Sequence, residues 1–363
     1  MSVSRLVVKV GTTSLTTEAG EFRSDVALAL IEGIDAVRRI GVEVVLVVSG
    51  AIALGVRRLG IERPTEPAVL QAISAVGQVE LLAQLSQLFR GRGLEIGQIL
   101  LAPQDFGDRR QYLHARSTLE GLLRMNVVPV INENDAVANE EIRFGDNDRL
   151  AALVSHLVHA DLLLLLTDLP GVYDADPNLV SDARLIERLE VDAFDSVEAR
   201  GSVSGRGSGG MSSKLAAASI AARSGVDCLI ASAQTESVVL TAVCSRPYPS
   251  TLIPSLGVRE PARRLWIAYA TDPEGLLVVD EGAQAALRTG SASLLAVGVS
   301  EVRGRFIAGN VVEIATAESG VFARGIARVD ASAILGTRGV IVHRDDLALV
   351  VPGVGSRGAQ PLR

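Results

Sequence analysis

Lysine is almost absent from this chain. Of its 35 Lys and Arg residues 33 are Arg, and the two lysines, Lys9 and Lys214, both stand in segments rich in Gly, Ser and Thr. Guanidinium is a wide planar fork, whereas ammonium is a compact charge with rotatable donors. A sequence that uses Arg for every other cation marks these two positions as places where the fork will not serve. Compact cations beside glycine-rich backbone suit an oxyanion, phosphate above all. In Lys9-Val10-Gly11-Thr12-Thr13-Ser14 an apolar run ends. Gly11 lets backbone approach an anion, the N–H and hydroxyl groups of Thr12 and its neighbours donate, and Lys9 points from the strand. Taken alone, the segment is also a strand-ending turn with a lysine reaching for water; the scarcity of lysine favours the anion.

The second lysine closes Gly207-Ser208-Gly209-Gly210-Met211-Ser212-Ser213-Lys214. The preceding residues formally complete G-x-G-x-x-G, but a dinucleotide fingerprint needs a strand directly before it, and Asp195 to Ser204 is polar and turn-like. A Walker loop needs Gly immediately before Lys, and Ser213 stands there. What remains is a glycine loop feeding a helix, whose N-terminal amides and dipole can hold phosphate while Lys214 reaches the same oxygens; the alternative is a solvated linker. Two polar clusters, Asn132-Glu133-Asn134-Asp135 and Phe144-Gly145-Asp146-Asn147-Asp148, flank a loop from Ala136 to Asn147. Turn and cap chemistry accounts for part of this, with Asn147 or Asp148 capping the next helix, and a substrate-enclosing loop accounts for more. Ser49, in Val48-Ser49-Gly50-Ala51, can bond a substrate carboxylate or ammonium. Thr167-Asp168 ends a strand in a Pro-Gly turn that lines a nucleotide's base or ribose edge, or is only a turn. The four histidines have no nucleophile or ligand partner in view, so triad and metal-hydrolase schemes find no support, and no metal ligands are assigned.

These residues need rigid elements beneath them. Leu6 to Val10, Val44 to Val48, Val127 to Ile131 and Leu162 to Leu166 are nearly continuous apolar runs, the mark of strands buried on both faces. Helical patterns lie between them over 25–40, 66–90, 111–125, 149–158 and 214–224, so the fold class is α/β, a mainly parallel sheet sandwiched by helices. In such sheets ligands gather beyond the carboxyl ends of the strands. The expected organisation is an α/β domain over 1–257, a charged, proline-bearing linker over 258–274, a small β-rich domain over 275–351 and a flexible tail over 352–363. A net charge of −7 argues against a generic nucleic-acid binder. Cys228 and Cys244 are expected as buried free thiols, and the longest apolar run is far short of a membrane span. The chain reads as soluble and cytoplasmic.

Lys9-Val10-Gly11-Thr12, Val48-Ser49-Gly50-Ala51-Ile52, Asn132-Glu133-Asn134-Asp135, Phe144-Gly145-Asp146-Asn147-Asp148, Thr167-Asp168 and Gly209-Gly210-Met211 through Lys214 stand in the order shown by the glutamate 5-kinases of the amino-acid kinase family, which the first 257 or so residues resemble. The remainder resembles the PUA domain, through Val279-Asp280-Glu281-Gly282-Ala283 and Val342-His343-Arg344-Asp345-Asp346-Leu347, abbreviated between Ile334 and Val340. The resemblance implies the amino-acid kinase fold with a PUA-like barrel appended. It places ATP on Lys9, Gly11, Thr12, Thr167, Asp168, Ser208, Gly209, Gly210, Met211, Ser212, Ser213 and Lys214, and glutamate on Ser49, Asp135 and Asn147. Lys9, Lys214 and Asp148 become the catalytic group, with Asp148 positioning the lysines. Ser208 and Ser213 replace the family's usual Thr and keep the hydroxyl. The implied reaction is ATP plus L-glutamate giving L-glutamyl 5-phosphate and ADP, with Mg²⁺, as the first step toward proline. Inhibition by proline, a homo-oligomer (dimer or tetramer) and transfer of the product to a glutamyl phosphate reductase come with it. The alternatives are a sister kinase acting on another carboxylate, carbamate or UMP, and an RNA-associated protein led by the PUA-like part. The acidic charge and the shortened PUA-like segment weigh against RNA.

Overall fold

The computed structural model describes residues 3–137, 147–177, 179–194, 210–244, 248–270, 273–290, 292–318 and 320–350. Ser208 and Gly209, most of the 136–147 loop and the expected tail lie outside the described residues. The chain divides into two units, Met1–Arg259 and Glu260–Arg363.

In the first unit a seven-stranded sheet comprises β1 (Arg5–Val10), β2 (Glu43–Val48), β3 (Ile96–Leu101), β4 (Val128–Glu133), β5 (Leu162–Thr167), β6 (Asp227–Ser232) and β7 (Ser250–Ile253), in the order β3-β4-β2-β1-β5-β6-β7. Every neighbouring pair is parallel except β6 and β7. β1, β2, β4 and β5 are the apolar runs anticipated from sequence. β3 escaped notice because it is a half-buried edge strand interrupted by Gly97 and Gln98, and β7 is only 4 residues long.

The helices are α1 (Thr12–Leu15), α2 (Ser24–Arg39), α3 (Ala51–Leu59), α4 (Pro67–Arg90), α5 (Arg109–Arg124), α6 (Asn147–Leu157), α7 (Met211–Arg223) and α8 (Val238–Val243). Local chemistry starts several of them. Pro67 takes the first position of α4, where its missing N–H costs nothing. The Asp108 carboxylate accepts from the amides of Arg110 and Gln111 at the start of α5. One layer of helices, containing α2, α4 and α8, closes over Leu6, Val8, Val10, Leu46 and Leu164. On α6 and α7, Ala151, Ala152, Ala216, Ala217, Ala218, Ala221 and Ala222 are all buried, and these small side chains let the two helices pack closely against one another.

By length and composition alone α4 could cross a membrane, with a mean hydropathy of 1.4 over its most apolar stretch. One face of it packs on the domain, with 33% of that stretch buried. Ser74 and Gln78, on its buried face, bond to Asp135 and to the Glu133 carbonyl.

In the second unit β8 (Gly275–Val279), β10 (Val299–Gly304), β11 (Val311–Thr316), β12 (Gly320–Ile326) and β14 (Leu347–Leu349) form a five-stranded sheet, and β9 (Leu294–Leu295) pairs with β13 (Val340–Val342). Leu277, Ile314, Phe322, Ile334 and Ile341 fill its core. The segment expected as a linker is in part structured: Ala262–Leu265 and Trp266–Ala270 are helical, and Leu265, Ile267 and Tyr269 are buried. Arg324, itself buried and paired with Glu313, donates to the Ala268 carbonyl at 2.9 Å. The unbroken apolar run from Leu265 to Ala270 outweighs the charged, proline-bearing start that suggested a linker. The cysteines also divide. Cys228 is sealed inside β6, but Cys244, expected to be buried, caps the short α8 and is exposed.

Candidate active site

The sheet order lays the site out in a line. Lys9 stands near the end of β1, Ser49 just after β2, Asn132 and Asp135 at and beyond the end of β4, and Thr167 and Asp168 at the end of β5. β1 lies between β2 and β5, where the strand order reverses, and in open α/β sheets ligands bind outside the carboxyl ends of the strands at such a switch point. From β4 across β2 and β1 to β5 is about 14 Å at ~4.8 Å per strand, room for two ligands end to end.

Strand alternation aims Lys9. Leu6, Val8 and Val10 face the core beneath α2 and α4. Lys9 therefore faces the other layer, where α6 and α7 lie. There its Nζ meets Asp148 Oδ1 at 2.7 Å, and Lys214 Nζ meets Asp148 Oδ2 at 3.2 Å. All three side chains are buried, Asp148 at 1% exposure. Burial opposes ionisation of Asp148, but Lys9 and then Lys214 outweigh it and hold the carboxyl below its ordinary value. Two ammonium groups on one carboxylate leave one positive charge in excess within the trio. A Cβ added at Gly11 would sit 3.5 Å from Lys9 Nζ, so glycine there keeps the ammonium uncovered. Gly11 also precedes α1, whose first amides have no intrahelical partners. Gly210 does the same for α7 and itself offers no side chain to cap that helix. The two lysines thus converge on Asp148, each beside the N-terminal end of a helix, α1 or α7. That assembly can stabilise charge building up on a phosphoryl group.

On the β2–β4 side the groups are neutral amides and hydroxyls around one carboxylate. Asn147 Nδ2 lies 2.5 Å from the Val48 carbonyl, 2.8 Å from Ser49 Oγ and 2.7 Å from Asn132 Oδ1. Its two hydrogens cannot serve three acceptors at once. The expected cap role therefore fails: α6 begins at Asn147, and Asn147 and Asp148 spend their side chains on the site instead. Among the described residues buried Asn147 Oδ1 and Asn132 Nδ2 have no hydrogen-bond partner, and an unmet buried polar group costs about 1–3 kcal/mol. One acceptor and one donor held ready in this way suit the ammonium and carboxylate of an amino acid. Asp135, also buried, accepts from Ser74 Oγ at 2.5 Å. Desolvation pushes its carboxyl above the ordinary value, and the Ser74 hydroxyl partly offsets this.

Ser49 and Asn147 are thus brought together, and Asn147 is tied to Asn132, three residues before Asp135. Thr167 ends β5 half-buried, and Asp168 is exposed and accepts a long bond from Ser14 Oγ at 3.4 Å. No described contact joins Thr167 or Asp168 to the lysine pair. Asn132, Ser74 and Gln78 were not singled out as site residues by sequence reading. Ser74 and Gln78 did leave a signal, as polar residues four apart on the otherwise apolar buried face of α4. Among the described residues no three His, Cys, Asp or Glu side chains group as metal ligands, and both oxygens of Asp148 are committed to lysines.

Comparison with known proteins bears on this geometry. The model of the amino acid kinase family matches residues 4–232, and that of the PUA domain matches residues 275–344. The glutamate 5-kinase of Frankia casuarinae is 43% identical, the match covering 96% of this chain and 97% of that one. Those of Bifidobacterium animalis subsp. lactis and Mycobacterium tuberculosis are 43% and 42% identical, covering 95% of this chain in each case and 95% and 94% of theirs. Among solved structures, carbamate kinase from Giardia lamblia bound to AMP-PNP superimposes with a TM-score of 0.50 at 19% identity, over 69% of this chain and 98% of that one, a likeness of fold.

Proposed function

The chain belongs to the amino acid kinase family, among its glutamate 5-kinases, and we propose that it transfers the γ-phosphoryl group of ATP to the side-chain carboxylate of L-glutamate, giving L-glutamyl 5-phosphate and ADP. The observation that carries the mechanism is the convergence of Lys9 and Lys214 on buried Asp148. The acceptor carboxylate, with a reference pKa of about 4.3, is ionised at neutral pH and needs no general base. This fits a site built without histidine. The obstacle is repulsion between two anions. Lys9, Lys214 and the amides opening α1 and α7 offset it on the transferring phosphoryl, while Asp148 fixes the spacing of the two cations. A carboxylate oxygen of glutamate forms the new bond to phosphorus as the bond to ADP breaks, and no proton moves.

In this reading Ser49, Asn147 and Asp135 hold glutamate, with Asp135 on its ammonium, and Gly11, Thr12, Thr167, Asp168 and Gly210 to Lys214 hold ATP; Ser208 and Gly209 complete that set by sequence. Mg²⁺ would belong to the same reading as the companion of the nucleotide phosphates, where it would neutralise part of their charge. A place as the first step of proline synthesis, inhibition by proline, hand-over of the labile acyl phosphate to a reductase and a cytoplasmic setting belong to the same proposal. So does a homo-oligomer. The outer face of α4 shows Val69, Val76 and Val79 exposed, an uncharged stripe that a second copy can meet with its own, and sedimentation at several concentrations tests it.

The deciding experiment is ADP release with glutamate, aspartate, acetylglutamate, carbamate and UMP as acceptors, with hydroxylamine to trap an acyl phosphate. Turnover and hydroxamate with glutamate alone are expected. A preference for any other acceptor overturns the reading.

A further inference from the structure

Ser74 lies in the middle of α4, at 1% exposure. A serine inside a helix ordinarily turns its hydroxyl back to the carbonyl four residues earlier. Ser155 inside α6 does so, to Ala151, and Ser224 at the C-terminal cap of α7 does the same to Ile220, both at 2.7 Å. Ser74 instead sends its hydrogen to Asp135 Oδ2 at 2.5 Å, across 61 residues of sequence. One turn later Gln78 donates to the Glu133 carbonyl at 3.3 Å, so α4 grips the end of β4 and the turn after it at two points.

That grip depends on an unusually close helix crossing. A Cβ at Gly77 would fall 1.7 Å from the Ala51 carbonyl oxygen, and one at Gly55 would fall 2.3 Å from the Ile73 carbonyl oxygen. Only glycine at both positions lets the backbones of α3 and α4 touch. Ala51 opens α3, two residues after Ser49, so the same stretch of α4 abuts both arms of the acceptor side: Ala51 through Gly77, and Asp135 through Ser74.

We propose that Ser74 is a positioning residue that fixes the Asp135 carboxylate for the ammonium group of the acceptor, and that Gly77 brings it within reach. The proposal rests on the glutamate kinase reading above and adds a residue to it. Asp135 is buried and pushed toward its neutral form, and the Ser74 hydroxyl is the interaction that opposes this. An ionised carboxylate accepts only, so a single aimed donor also sets which oxygen stays available to a ligand.

Steady-state kinetics of Ser74→Ala test this, alone and in an Asp135→Asn background. Alanine is the better helix former, so loss of the fold is not expected, and a thermal melt checks that. The expected result for Ser74→Ala is a glutamate KM raised about tenfold, as for a lost hydrogen bond to a charged group, with the ATP KM and kcat within about twofold. In the Asp135→Asn background the same substitution adds less than about twofold, because Ser74 acts through Asp135. Multiplicative effects in the double variant, or equal rises in both KM values, overturn the proposal. A wild-type protein that turns over glutamate beside a Ser74→Ala variant of unchanged glutamate KM sinks this inference alone. A wild type that turns over no glutamate sinks the underlying reading as well.

Discussion

The site contains two buried aspartates, and their surroundings push them in opposite directions. Asp148 receives an ammonium group on each oxygen and is held ionised below its ordinary value. Asp135 receives one hydroxyl and is pushed above it. The residue type is the same, but one serves as a fixed part of an ionic frame and the other as a strained, receptive anion. An unfavourable buried charge gains most from an incoming cation, whereas one already paired has little left to give. The phosphate side should therefore reveal itself in kcat and the acceptor side in KM.

The sharpest way to break this contrast is Asp148→Asn. An amide cannot balance two ammonium groups, so kcat should fall about a hundredfold or more, equivalent to about 2.7 kcal/mol, with the glutamate KM little changed; a rise confined to that KM would make Asp148 a substrate ligand. Next come Lys9→Arg and Lys214→Arg. The fork cannot occupy the space of a point charge, and each should lower kcat by more than about tenfold. Near-wild-type ADP release in either would end the case from lysine scarcity. Asp135→Ala should raise the glutamate KM about tenfold and leave the ATP KM alone, and a change in the ATP KM only would misplace Asp135. The smallest effect is on stability. A carboxylate with a raised value costs stability above that value, and the cost fades as pH falls through it. Asp135→Asn should therefore raise Tm at neutral pH by about 2 °C, with a shrinking gain in acid. Asp148 has the opposite sign: its contribution is present above the ordinary carboxylate value and is lost as pH falls through the depressed one. Melting curves across pH that show no such divergence would erase the contrast.

Much of the ionic half was legible in sequence. Lys9 and Lys214 stood out by rarity, and β1, β2, β4 and β5 stood out because strands buried on both faces have nowhere to put a polar residue except at a site. The acceptor half was legible only where it was polar in a loop, as at Ser49, Asp135 and Asn147. Ser74 and Gln78 were hidden because helix periodicity explains a buried face without asking what a polar residue does on it. α3 was not among the helical patterns read from sequence, since Ala51 to Leu59 is short and contains Gly55, a poor helix former, whose purpose depends on a neighbour 18 residues away in sequence, Ile73. β3 and β7, at the edges of the sheet, lack the continuous apolar run that identifies a central strand. Asn147 and Asp148 were read partly as caps, since local chemistry could use them. Long-range partners claimed them instead.

The pairing of both lysines with one aspartate has a practical side. With 33 arginines supplying every other permanent side-chain cation, the protein's only side-chain amines are Lys9 and Lys214. Reductive methylation with ¹³C-formaldehyde, which preserves the positive charge, would mark Lys9 and Lys214 and no other side chain. Resonances from these two positions would then follow ligand arrival with the N-terminal amine as the one other labelled group.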